Sequence, residues 1–124
     1  MLYETYDVLY KNGVISDKII PTFVKENLPD RFPLRPYQKE AMARFAYALT
    51  NDDTNIQYPI HLLFHMATGA GKTLIMASNI LHLYEEGYRR FLFVVNSKEI
   101  VRKTKENFLN TSSPKHLFKE KILN

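Results

Sequence analysis

Hydrophobic positions fall into two patterns along this chain, helical spacing and short continuous apolar runs, and their order predicts the elements. Ala41, Met42, Phe45, Ala46 and Leu49 recur at helical spacing. Pro36 suits the first residue of that helix, because its missing N–H is not needed there. The polar stretch Asn51-Asp52-Asp53-Thr54-Asn55 reads as the loop that ends it. Ile60-His61-Leu62-Leu63-Phe64-His65 is short and apolar and predicts a buried strand. Leu74, Ile75, Ala77, Ser78, Leu81 and Leu83 predict a second helix after Lys72, with Gly87 placed to end it. Phe91-Leu92-Phe93-Val94-Val95 is almost purely apolar, as expected of a strand covered on both faces. Ser97 is placed to cap a third helix, with Ile100, Val101, Thr104 and Phe108 on one side. Asn110–Pro114 reads as a loop, and Lys119–Leu123 fits the start of another strand.

The first third is less regular. Leu2–Lys11 is rich in tyrosine and apolar residues and fits helix or strand. Asn12-Gly13 marks a turn. Ile19–Val24 is an apolar run interrupted by Pro21, and Pro29, Pro33 and Pro36 keep the chain extended or turning. From residue 60 onward the order strand–loop–helix–strand–helix implies an α/β fold, a right-handed βαβ unit with parallel strands. Two strands do not make a stable doubly wound sheet, which needs more strands and cover on both faces. The chain is therefore expected to be a piece of something larger.

Composition narrows the picture. The 124 residues fit one small domain, 45% hydrophobic and 24% charged, as in an ordinary globular chain. Without cysteine there are no disulfides or thiolate metal sites, which fits a reducing cytoplasm. No apolar run approaches the roughly 20 residues of a membrane span, and the N-terminus lacks signal-peptide character. Charge is uneven. Residues 1–87 carry 8 Lys/Arg and 10 Asp/Glu, a net of −2, whereas residues 88–124 carry 9 and 3, a net of +6. The basic end suits either a nucleic-acid backbone or a solvated helix face.

The candidate chemistry lies at residues 66–73, Met-Ala-Thr-Gly-Ala-Gly-Lys-Thr. Gly69 and Gly71 let the backbone turn tightly and approach phosphate oxygens with no Cβ in the way. Both lie just before a helix, whose N-terminal N–H groups favour an anion. Lys72 is expected to reach the β- and γ-phosphates of a nucleoside triphosphate, and Thr73 to offer its hydroxyl to Mg²⁺. The general phosphate-loop pattern begins with glycine where this chain has Met66. The predicted strand before it and helix after it supply the right context.

Ala67-Thr68-Gly69-Ala70-Gly71-Lys72-Thr73 resembles motif I of superfamily-two (DEAD/DEAH-like) helicases and translocases, where the first glycine is commonly replaced. It looks most like the motor subunits of type III and type I restriction endonucleases. Leu34-Arg35-Pro36-Tyr37-Gln38 is similar to the segment those motors carry upstream of motif I. Phe91–Phe108 is similar to motif Ia, although Asn96 stands where the family usually has proline. The resemblance implies a RecA-like three-layer fold, a parallel sheet flanked by helices, here truncated. It implies that residues 34–124 are the beginning of a first motor domain, preceded by an extension at residues 1–33. ATP and Mg²⁺ are the implied ligands, held by Thr68, Gly69, Ala70, Gly71, Lys72, Thr73 and Leu74, with Lys72 and Thr73 catalytic. Gln38 would read the adenine edge, as an amide can by donating and accepting together. Arg35 would support the adenine or the phosphates. Ser97, Lys98, Arg102 and Lys103 would touch the backbone of double-stranded DNA.

Motif II, the acidic pair that holds Mg²⁺ and polarises water, is not found in the sequence. The acids after Asn96 are Glu99, Glu106 and Glu120, and none follows an apolar strand. Glu85-Glu86 ends a helix and reads as solvated. The expected role is therefore the ATP-binding segment of a restriction motor, inactive as an ATPase by itself. The expected partners are the remaining motor and nuclease domains, a methyltransferase subunit and DNA. Unpaired strand edges are expected to promote self-association. A P-loop nucleotide kinase and a non-catalytic interaction module are the alternatives.

Overall fold

A computed structural model describes residues 2–50 and 59–119. Its regular elements are α1 (Leu2–Lys11), a 3-10 turn (Asp17–Ile19), α2 (Thr22–Asn27), α3 (Pro36–Thr50), α4 (Lys72–Glu85) and α5 (Lys98–Leu109). They divide between two compact units. One comprises Met1–Pro21 and Leu34–Lys72, the other Thr22–Pro33 and Thr73–Asn124.

In the first unit the ambiguous Leu2–Lys11 stretch is a helix. It ends at the predicted Asn12-Gly13 turn, where Val14 N–H donates to Leu9 O at 2.9 Å and Gly13 N–H to Tyr10 O at 3.0 Å. Lys11 pairs with Asp7 one turn back, Nζ to Oδ2 at 2.6 Å, and this hydrogen bond holds the Asp7 carboxyl below its ordinary range. Helix α3 starts at Pro36 as predicted. Its apolar face is centred on Met42, Ala43, Phe45, Ala46 and Ala48, so Ala43 and Ala48 replace the expected Ala41 and Leu49 at the most buried positions. Tyr6 of α1 meets Tyr47 of α3 edge to face, centroids 5.6 Å apart. Arg44 of α3 ties back to α1, pairing with Asp7 at 3.4 Å and with Glu40, while its guanidinium lies over the Tyr10 ring. Lys39 reaches Asp17 of the 3-10 turn at 3.6 Å.

In the second unit α4 buries Leu74, Ile75, Ala77, Ser78, Leu81 and His82. His82, one residue before the expected Leu83, lies on the same helical stripe as Leu74, Ser78 and Leu81. Gly87 ends the helix as predicted, with Tyr88 N–H bonded to Leu83 O at 2.9 Å. Phe23 of α2 stacks on Tyr84 of α4 at 6.3 Å. The segment after α5 folds back as a series of turns. Arg31 Nη2 donates to Ser113 O at 3.3 Å and His116 O at 2.5 Å, and Lys119 N–H donates to Asn27 O at 3.0 Å. Phe108 of α5 packs on Phe118, centroids 5.2 Å apart. No helix among the described residues is long and apolar enough to cross a membrane.

The parallel sheet is not observed among the described residues. Residues 60–66 and 91–95 carry no strand ladder there. Neither is the doubly covered strand expected from its apolar run. Side chains of the first alternate: Leu62 and Phe64 are half-buried, with the Phe64 ring 6.1 Å from Phe45, while Leu63 is 92% exposed. In the second, Leu92 is 91% and Val94 78% exposed. A strand takes its hydrogen bonds from neighbours on its edges, and an apolar run cannot supply those neighbours itself. The expected loop at Asn51–Asn55 and most of the stretch at Lys119–Leu123 lie outside the described residues.

Candidate phosphate-binding site

The turn into α4 is built on two glycines in the left-handed region. Gly69 sits at φ +79° and Gly71 at φ +85°, and no non-glycine residue among the described residues has positive φ. A Cβ at Gly69 would meet nothing within 4 Å, so its backbone angle, not crowding, demands glycine there. Ala70 N–H closes a turn onto Ala67 O at 3.2 Å. Lys72 opens α4 and folds back, its ammonium donating to Ala67 O at 3.0 Å. Thr68, Gly69 and Lys72 are exposed, Ala70, Gly71 and Thr73 half-buried, and Leu74 is buried in α4.

The start of α3 is bonded to this loop. Gln38, only 5% exposed, donates from Nε2 to Ala70 O at 3.0 Å. Its Oε1 accepts the Arg35 N–H at 2.9 Å, the reach-back half of a capping box. Sequence reasoning named Arg35 and Gln38 but passed over the residue between Pro36 and Gln38. Tyr37 donates its phenol to the same Ala70 carbonyl at 3.1 Å and accepts from Arg35 Nη1 at 3.1 Å. Its signal was its place inside Arg-Pro-Tyr-Gln, since helix position N2 and N3 lie on adjacent sides of one turn.

Beside the loop the first unit holds a cleft of about 1280 Å³, lined among others by Tyr6, Arg44, Phe45, His65, Met66 and Gly69. The donors around the loop are backbone N–H groups, one ammonium and one guanidinium, a set that fits a polyanion. A Mg²⁺ ion carried by such an anion would find the Thr73 hydroxyl in the first turn of α4.

The other predicted contacts belong to the second unit. Ser97 occupies the N-cap of α5, but its side chain makes no capping hydrogen bond. Arg102 pairs with Glu99 at 2.9 Å and Glu106 at 3.6 Å, and Lys103 with Glu99 at 3.4 Å. Hydrogen bonding to Arg102 holds the Glu99 carboxyl below its ordinary range. The exposed face of α5 is thus partly self-neutralised, and Ile100 and Val101 stay exposed. The acids found after Asn96, Glu99 and Glu106, are in these ion pairs, while Glu120 lies outside the described residues.

The candidate loop is thus bonded to the Arg-Pro-Tyr-Gln helix start, and comparison with known proteins gives the family. Residues 31–124 match the family model described as "Type III restriction enzyme, res subunit". The chain belongs to this family. It is also 47% identical over 109 residues to the Haemophilus influenzae "Probable type III restriction-modification enzyme HindVIP Res subunit". That alignment covers 84% of this chain and 21% of the relative, so the chain spans about a fifth of that protein's length. No solved structure matches the chain.

Proposed function

We propose that this chain is the ATP-binding segment of a DNA-translocating restriction motor, with residues 34–124 belonging to a RecA-like domain. The observation that carries the reading is the Gln38–Ala70 hydrogen bond. It joins two motifs 32 positions apart, the amide that suits an adenine edge and the loop that suits phosphates. Gln38 keeps a second N–H and a second lone pair beyond the bonds it makes, enough to pair with adenine. Gly69 and Gly71 present backbone donors, and Thr68, Ala70 and Leu74 flank them. Lys72 leaves Ala67 O for the β- and γ-phosphates, exchanging a neutral acceptor for a charged one. Mg²⁺, held in part by Thr73, would offset phosphate charge. Arg35 adds a guanidinium on the adenine side.

DNA is the proposed track, with Ser97 and Lys98 at the start of α5, then Arg102 and Lys103, facing the backbone. The relative's description as a restriction-modification Res subunit supports a modification subunit and DNA as partners of the whole protein. ATP hydrolysis belongs to that whole protein, and the cysteine-free chain suits a cytoplasmic home. Nucleotide titration of the chain tests the reading. ATP is expected to bind more tightly than GTP, Lys72→Ala to weaken binding about 10- to 100-fold, and Gln38→Ala to erase the base preference. Equal binding by wild type and Lys72→Ala would overturn it and favour an interaction module.

A further inference from the structure

The Tyr37 phenol has no assigned role, yet it touches the loop directly. We propose that Tyr37 is a positioning residue for the phosphate loop: by holding the Ala70 carbonyl it aims the Gly71 N–H at the bound phosphates. The inference rests on reading residues 66–73 as a phosphate loop.

The direction of the hydrogen bonds is fixed by chemistry. A guanidinium only donates and a carbonyl only accepts. Between Arg35 Nη1 and Ala70 O, each 3.1 Å away, the phenol must therefore accept from the first and donate to the second. Donating groups on the phenol oxygen polarise its O–H and strengthen the bond it gives. Ala70 O thus receives two donors, Tyr37 Oη at 3.1 Å and Gln38 Nε2 at 3.0 Å.

The peptide they hold is the one most in need of holding. Ala70 lies between Gly69 and Gly71, both at positive φ, and glycine allows many backbone orientations. Two donors from neighbouring side chains restrain rotation of the Ala70–Gly71 peptide better than one. In a trans peptide the C=O and the following N–H point in opposite directions. Fixing Ala70 C=O toward α3 fixes Gly71 N–H away from it. Ala70 N–H is already used on Ala67 O, whereas Gly71 N–H finds no acceptor among the described residues. It is a free donor, and its aim follows from the two side chains, Tyr37 and Gln38, that hold Ala70 O.

Tyr37→Phe in the full chain removes one oxygen from a side chain that is 40% exposed. Binding of ATP and of inorganic tripolyphosphate is followed by calorimetry, and the Gly71 amide by ¹H–¹⁵N NMR. Both ligands are expected to bind about fivefold more weakly, the size of one net hydrogen bond, with ATP-over-GTP preference and melting temperature unchanged. The Gly71 amide signal of the free chain is expected to shift. Unchanged tripolyphosphate affinity overturns the proposal. So does a loss for ATP alone, which would put the phenol on the nucleoside, or a loss accompanied by a lower melting temperature, which would make Tyr37 merely structural. If wild type binds neither ligand, the phosphate-loop reading itself falls and this inference with it.

Discussion

The loop from Met66 to Thr73 and the stretch from Phe91 to Asn96 both lead into a helix, and among the described residues only the first is held by side-chain hydrogen bonds. Ala70 O has two side-chain donors and Ala67 O accepts from both Ala70 N–H and the Lys72 ammonium. The second stretch leaves Leu92 91% exposed, and Ser97 at its end makes no side-chain cap. A loop-to-helix turn closes on contacts that a short chain can carry. An apolar extended segment draws its stability from strands on either edge, so its own residues do not complete it.

The largest effect that separates the two kinds of region is on stability. Leu81→Ala, at a position 1% exposed in α4, is expected to cost about 2–5 kcal/mol in urea unfolding. Leu92→Ala is expected to cost less than about 0.5 kcal/mol, as for an exposed site. A comparable loss at Leu92 would mean that this stretch is packed in solution after all. Next, Gly69→Ala is expected to destabilise the chain by about 1–2 kcal/mol through backbone strain alone, since the added methyl has room. A neutral substitution would show that the loop is not fixed at positive φ.

A smaller effect concerns pH. Burial pushes the His82 imidazole below its ordinary pKa, with Glu86 and Glu85 pulling it partly back. The folded state then disfavours the protonated form relative to the unfolded chain. The stability this contributes is fully present above the unfolded pKa of about 6.5 and is lost as pH falls below it. The melting temperature is expected to drop from pH 7.5 to pH 5, and less so in His82→Gln. An unchanged drop in that variant would assign the pH response elsewhere. The smallest effect is expected on α5. Lys98→Ala should flatten the salt dependence of DNA binding by about one unit of slope, and Arg102→Ala by less, because Glu99 and Glu106 already share its charge. Equal slopes for both variants would erase that distinction.

What was legible in the sequence follows the same division. Helix starts and ends were readable because Pro36, Asn12-Gly13 and Gly87 act through local backbone geometry. The loop was readable because Gly69 and Gly71 have a requirement that few other residues meet. The lateral shift of the α3 face toward Ala43 and Ala48, and the burial of His82 in place of Leu83, were not readable, since helical spacing fixes the period and not the partner. The sheet was inferred from apolar runs at residues 60–65 and 91–95, and runs alone say nothing about whether edge partners are at hand. Tyr37 was passed over although it stands inside Arg-Pro-Tyr-Gln, because its bond goes to a carbonyl 33 positions away.

The most direct measurement is a ¹H–¹⁵N NMR titration of the chain with Mg²⁺ and ATP. Amide shifts are expected at Gly69–Thr73 and at Arg35, Tyr37 and Gln38, with Phe91–Val95 unmoved. No shifts at Gly69–Thr73 on saturation with ATP, or shifts confined to other residues, would contradict the assignment of this loop to phosphate binding.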